Sequence, residues 1–97
     1  MEQNTSELPI LTAGRQELDT LTFRILYSLI AQSKDGATVA LRPIDIEREV
    51  RCSRPALNAA IKILTLKKFI AVSVASRSTL PNIYKILEKI PVAISQG

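Results

Sequence analysis

A chain of 97 residues, 46% hydrophobic, with two Phe, two Tyr and no Trp, has the material for one aliphatic, close-packed core and a single domain, and is too small for a multidomain enzyme. One cysteine and no histidine exclude an internal disulfide, a Cys/His zinc site and a Ser-His or Cys-His nucleophile pair. The net charge of +4 is unevenly spread: Glu2, Glu7, Glu17 and Asp19 oppose only Arg15 in residues 1–20, whereas residues 51–89 carry Arg51, Arg54, Lys62, Lys67, Lys68, Arg77, Lys85 and Lys89 against Glu88 alone, a bias that suits a polyanionic partner.

Residues 1–14 read as a flexible arm. MEQNTSE is polar, Pro9 and Gly14 punctuate the residues after it, and only Leu8, Ile10 and Leu11 offer an anchor, either on this chain or across a dimer interface. The acidic, polar start is unlike a signal peptide, and no apolar run approaches the ~20 residues of a membrane span, so the expectation is a soluble cytoplasmic protein with no membrane partner. Residues 15–90 are expected to form the folded domain, and residues 91–97 a short tail.

Residues 16–33, QELDTLTFRILYSLIAQS, predict the first helix. Leu18, Leu21, Ile25 and Leu29 make its core stripe, and Phe23, Leu26, Tyr27 and Ile30 widen the apolar surface beyond one face. So small a domain has difficulty enclosing a helix on most sides, which predicts a homodimer meeting through Phe23, Leu26, Tyr27 and Ile30.

Thr38, Val39, Ala40 and Leu41 form a β-branched run suited to an edge strand. Pro43 then opens a short amphipathic helix in which Ile44, Ile46 and Val50 are apolar and Glu47, Arg48 and Glu49 point outward. Asp45, Glu47 and Glu49 lie two residues apart and so fall on different sides of a helix, which prevents them from converging as an acid/base pair or a metal cage. Helix solvation and local ion pairs are the role expected of them.

Arg51, Cys52 and Ser53 are a tight turn. Ser53 is placed to cap the next helix and Pro55 fits its first turn, where free backbone amides also suit a phosphate. Cys52, flanked by Arg51 and Arg54, is either a small packing residue or a redox-sensitive thiol. Beyond the turn, Leu57, Ala60, Ile61 and Leu64 fall at i, i+3, i+4 and i+7 and make the buried face of that helix. Arg54, Asn58, Lys62 and Thr65 lie on the other side, all able to donate hydrogen bonds and none acidic.

After Lys67 and Lys68 the pattern changes to a strict alternation. Ile70, Val72 and Val74 alternate with small residues, and Tyr84 and Ile86 alternate with Ile83, Lys85 and Leu87. The segment between them, residues 76–82, is a polar loop carrying Arg77, so the two runs read as a β-hairpin that needs a third strand or packed helices for stability.

Helix, strand, helix, tight turn, helix, strand, loop, strand is the order of a winged helix-turn-helix, and the run 43–87 resembles the bacterial and archaeal winged-helix DNA-binding domains. In this resemblance SRPALNAAIKIL stands as the recognition helix, KKFIAVSV enters the hairpin, and RSTLPNIYKI forms the wing and return strand. The chain is similar in this respect to MarR- or PadR-like transcriptional regulators, to the winged helices of plasmid replication initiators and replisome organisers, and to small plasmid centromere-binding proteins. The resemblance implies an α+β, mainly α fold of three helices and a small antiparallel sheet with a hairpin wing. It also implies a recognition helix in the DNA major groove, with Ser53, Arg54, Asn58 and Lys62 facing the groove and Arg77 as the wing contact on the backbone or minor groove. Arg51 and Lys67 join them as phosphate contacts on charge. The chain departs from the MarR pattern in lacking a long C-terminal dimerisation helix, since only EKIPVAISQG follows Leu87.

The expected function is sequence-specific binding of double-stranded DNA by a dimer, in transcription regulation or in plasmid partition or replication initiation, with a protein-interaction module as the rival. No catalysis, cofactor, metal or small-molecule ligand is expected, because His, a Gly-rich phosphate loop and converging carboxylates are all missing from the sequence.

Overall fold

The computed structural model describes residues 8–77 and 79–89. Within them run α1 (Pro9–Glu17), α2 (Thr20–Gln32), β1 (Thr38–Leu41), α3 (Pro43–Val50), α4 (Arg54–Leu66), β2 (Ile70–Ser73) and β3 (Asn82–Ile86). Together they form a mainly helical α+β domain with one three-stranded antiparallel sheet in the order β1-β3-β2. It has one helix more than the sequence predicts, and the difference arises before residue 20.

Pro9 opens α1 instead of breaking the chain, because its ring-fixed φ and missing N–H are both harmless in a first turn. Ile10, Leu11, Ala13 and Gly14 are buried, so residues 9–14 belong to the folded body and not to a flexible arm. The rest of the expected arm, residues 1–7, lies outside the described residues, as does the tail 91–97. The helix predicted over residues 16–33 is interrupted at Leu18 and Asp19, both extended. Asp19 caps α2 by accepting the Thr22 N–H at 3.4 Å. Gly14 marks the crossing of α1 and α2: a Cβ there would lie 2.9 Å from the Phe23 ring and 3.2 Å from Leu26, a separation that favours the one residue without a Cβ.

α1 covers surface that the sequence assigns to a partner. Leu26 is 0% exposed and enclosed by its own chain, which removes it from any contact between copies. Phe23 and Ile30 are half-buried against the same core, and Arg15 lies 4.9 Å over the Phe23 ring. Tyr27, 53% exposed, is the member of that proposed quartet that faces solvent most fully.

α2 packs against α1, α3 and α4 and also against β1 and β3. On the sheet, Val39, Tyr84 and Val72 stand in register across the three strands, with Tyr84 in the middle and only 2% exposed. The alternation read from the sequence is kept: Ile83 and Lys85 face outward, alternating with Tyr84 and Ile86. The hairpin loop starts earlier than expected, since Val74 falls outside β2 and is 77% exposed.

Two carboxylates, exposed Asp35 and half-exposed Asp45, organise turns. Asp35 accepts the Ala37 and Thr38 N–H groups at 2.9 and 3.0 Å on the way into β1. Asp45 accepts from the Arg42 side chain and from its backbone N–H. The bonds from Ala37 and then Thr38 hold Asp35 below its ordinary 3.8, and those from the Arg42 side chain and then its backbone do the same for Asp45. Depressed folded-state values mean stabilisation that is present above the unfolded value and lost as pH falls through the lowered one. The midpoint of thermal unfolding is therefore expected to drop on acidification from about pH 5 to about pH 2, and to drop less in the Asp35→Asn, Asp45→Asn double variant. An identical drop in both proteins would contradict these assignments.

Candidate nucleic-acid interface

α3 and α4 are joined by a three-residue turn whose geometry is fixed from several directions. At its start α3 is capped by Asp45, whose carboxylate accepts from the Arg42 backbone N–H and guanidinium, with Pro43 at the first helical position. At its end Arg51 adopts a left-handed conformation, φ 62°, which costs a non-glycine residue roughly 1–2 kcal/mol. Arg24 of α2 offsets this by donating from Nη2 to the Val50 carbonyl at 2.8 Å, satisfying a terminal acceptor of α3. Cys52 is half-buried and packs on the core, the packing role among the two read from the sequence. Ser53 caps α4 by accepting the Ala56 N–H at 3.3 Å, and Pro55 sits in the first turn.

α4 ends without glycine. Lys68 takes the left-handed conformation, φ 64°, while the Phe69 N–H reaches the Leu64 carbonyl at 2.8 Å and the Lys68 N–H reaches that of Thr65 at 3.1 Å. Phe69 and Leu64, both 0% exposed, belong to the same hydrophobic core at this terminus. The stop sends the chain straight into β2 and leaves Lys67 and Lys68 exposed at the end of the helix, where positive charge suits the dipole.

Every residue assigned to DNA from the sequence is exposed: Arg51, Ser53, Arg54, Asn58, Lys62, Lys67 and Arg77. They do not form one cluster. Arg54 and Arg77, with Arg42 and Asn82, line an open groove of about 590 Å³ between the start of α3 and the hairpin loop. Asn58 and Lys62 continue from Arg54 along one flank of α4, each about 6 Å further along the axis. Lys67 lies at the far end of α4, about 20 Å from Ser53. Thr65, read as an outward donor, gives its hydroxyl proton to the Ile61 carbonyl at 2.8 Å. Lys89 likewise turns inward, donating to the Lys67 carbonyl at 2.9 Å and lying 5.0 Å from the Phe69 ring.

Glu47 departs from its expected outward direction. It is half-buried and pairs with Arg54 across the turn, so the guanidinium at the start of α4 is oriented from behind by α3. Arg42 is held in the same manner by Asp45 at 3.3 Å. Two of the three arginines around the groove are thus locally balanced, and the excess positive charge of the face comes from Arg51, Lys62, Lys67, Lys68 and Arg77. Arg24 and Glu47 were not legible as site residues, because their contacts join separate helices or span a turn and leave no trace in helical spacing; Arg42 was not, because only the fold brings the start of α3 to the hairpin loop. Asn82 ties the base of the loop, accepting the Ala75 N–H at 2.8 Å and donating to the Tyr84 hydroxyl at 3.3 Å.

Among the described residues no His, Cys, Asp or Glu cluster is placed to hold a metal ion, and no helix is long and apolar enough to cross a membrane. The face offers ammonium and guanidinium groups for phosphates and, beside the Asn82 amide already engaged at the base of the loop, the exposed side-chain amide of Asn58, which can both donate and accept.

No family model, curated protein or solved structure matches the chain.

Proposed function

We propose that the chain is a winged helix-turn-helix protein that binds double-stranded DNA sequence-specifically and without catalysis, as a small cytoplasmic transcriptional regulator. The observation that carries this reading is a juxtaposition: α3, the turn and α4 stand beside a hairpin loop whose Arg77 shares a groove with Arg54. The strand order β1-β3-β2 supports it, because it makes β3 central, and the loop between β2 and β3 lines that groove together with the start of α3 and Arg54 at the start of α4. On this reading α4 lies in the major groove and the loop is the wing. Lys62, Lys67, Arg51 and Arg77 hold phosphates and set the register, while Asn58 and Arg54 reach base edges, Asn suiting adenine and Arg guanine.

One α4 makes few base contacts, so useful specificity calls for two copies on a repeated or palindromic site. The pair would meet through the outer side of α2 at Tyr27, flanked by Phe23 and Ile30. The same chemistry serves a plasmid partition or replication-initiation protein, and the DNA site distinguishes these roles.

Fluorescence anisotropy with random duplex and with the DNA upstream of the chain's own gene, each at two salt concentrations, tests the proposal. Tighter and more salt-resistant binding to the upstream fragment is the expected result. Weak binding to both that salt abolishes would favour a protein-docking module, a reading to which the exposed Ile63 and Leu66 on α4 lend weight. Arg77→Ala should lower the slope of log affinity against log salt by about one, as loss of one phosphate contact requires. An unchanged slope would remove the loop from the interface.

A further inference from the structure

The outer face of α4 is not uniformly polar. Ala59, Lys62, Ile63 and Leu66 fall at i, i+3, i+4 and i+7, the spacing of a single face, directly opposite the buried Leu57, Ala60 and Leu64. Ile63 is 37% and Leu66 70% exposed, and Ala59 is exposed as well. The stripe therefore combines one ammonium group with three side chains that neither donate nor accept a hydrogen bond. Asn58 lies on its flank one residue before Ala59.

What covers such a stripe is constrained by charge. No acidic residue occurs between Glu49 and Glu88, so α4, its turn and the hairpin present cations alone around these apolar side chains. A polyanion with apolar points on its surface fits that pattern, and the major groove of DNA offers one such point, the C5-methyl group of thymine. An adenine is the natural partner of the adjacent Asn58 amide.

Resting on the DNA-binding reading above, we infer that α4 selects its site through thymine methyl groups, with Ala59 and Ile63 as the apolar readers and Asn58 as the neighbouring adenine reader. The ligand class is thus an A·T-rich major-groove segment. A segment read by guanine contacts alone would leave the stripe of α4 against polar base edges.

The test begins by selecting tight-binding duplexes from a randomised pool with the full chain. The selected duplex is then made with uracil replacing thymine at single positions, which removes one methyl and preserves pairing. Affinity is expected to fall roughly fourfold for each contacted methyl removed, with no change for uracil placed in the flanks. In Ile63→Ala, whose folding is checked by its thermal unfolding, the penalty at one of those positions should vanish, since the partner of that methyl is gone. Selected sites without thymine under α4, or uracil duplexes bound as tightly as their thymine counterparts, would overturn the inference while leaving DNA binding intact. Failure to select any duplex would overturn both.

Discussion

Leu26→Glu is expected to leave the chain unfolded. Leu26 is fully buried where α1 crosses α2, with its Cδ2 3.2 Å from the Cβ position of Gly14. Truncating such a leucine costs about 2–5 kcal/mol, and placing an unpaired carboxylate there adds several kcal/mol more. A domain of this size has about 5–15 kcal/mol in total. Loss of the helical circular dichroism signal at room temperature is the predicted observation. A folded variant of altered sedimentation mass would instead put Leu26 at a boundary between subunits and contradict its enclosure by α1. Tyr27→Glu, one position along and 53% exposed, should stay folded, so the pair of variants separates burial from association.

The second large effect is expected at Asn58, and it is an effect on discrimination. Asn58 is exposed at the middle of α4, away from the ion pairs that engage Arg54 and Arg42. A bidentate contact to adenine discriminates by about 1–3 kcal/mol. Asn58→Ala should therefore weaken binding to the cognate duplex by about 5- to 150-fold and leave binding to random duplex unchanged. Competition anisotropy with both duplexes reads this directly. Equal losses on the two would mean that Asn58 touches backbone only, and no loss on either would take it out of the interface.

The parts of the fold that were legible in the sequence are those built by local chemistry. Pro43, Ser53 and Pro55 mark helix starts by mechanisms that need no tertiary partner, and each does so in the structure. The alternation around Tyr84 survived because a strand packed on one face enforces it. What failed was the reading of Pro9 and Gly14 as punctuation. Pro9 is a helix opener and Gly14 a point of close approach, and the two roles look alike until the neighbouring helix is known. The continuous apolar pattern over residues 16–33 concealed the interruption at Leu18 and Asp19, since residues on both sides of it face one core. For the candidate site, the exposure of the cationic residues followed from patterning. Their division between a groove at one end of α4 and lysines at the other did not, because it depends on where the hairpin loop returns.

That return has a consequence for how the chain comes to be folded. β3 is the last described strand, yet it occupies the centre of the sheet, where it pairs with both β1 and β2. During synthesis on a ribosome, β1 and β2 have no mutual pairing to make and wait as unpaired edges until residue 86 has emerged. The hairpin loop and α4 therefore gain their fixed relation in one late step, when β3 inserts between two strands that bracket residues 42–69. A chain shortened before Asn82 would emerge with its cationic helix made and its loop unanchored, and with two strand edges open to other chains.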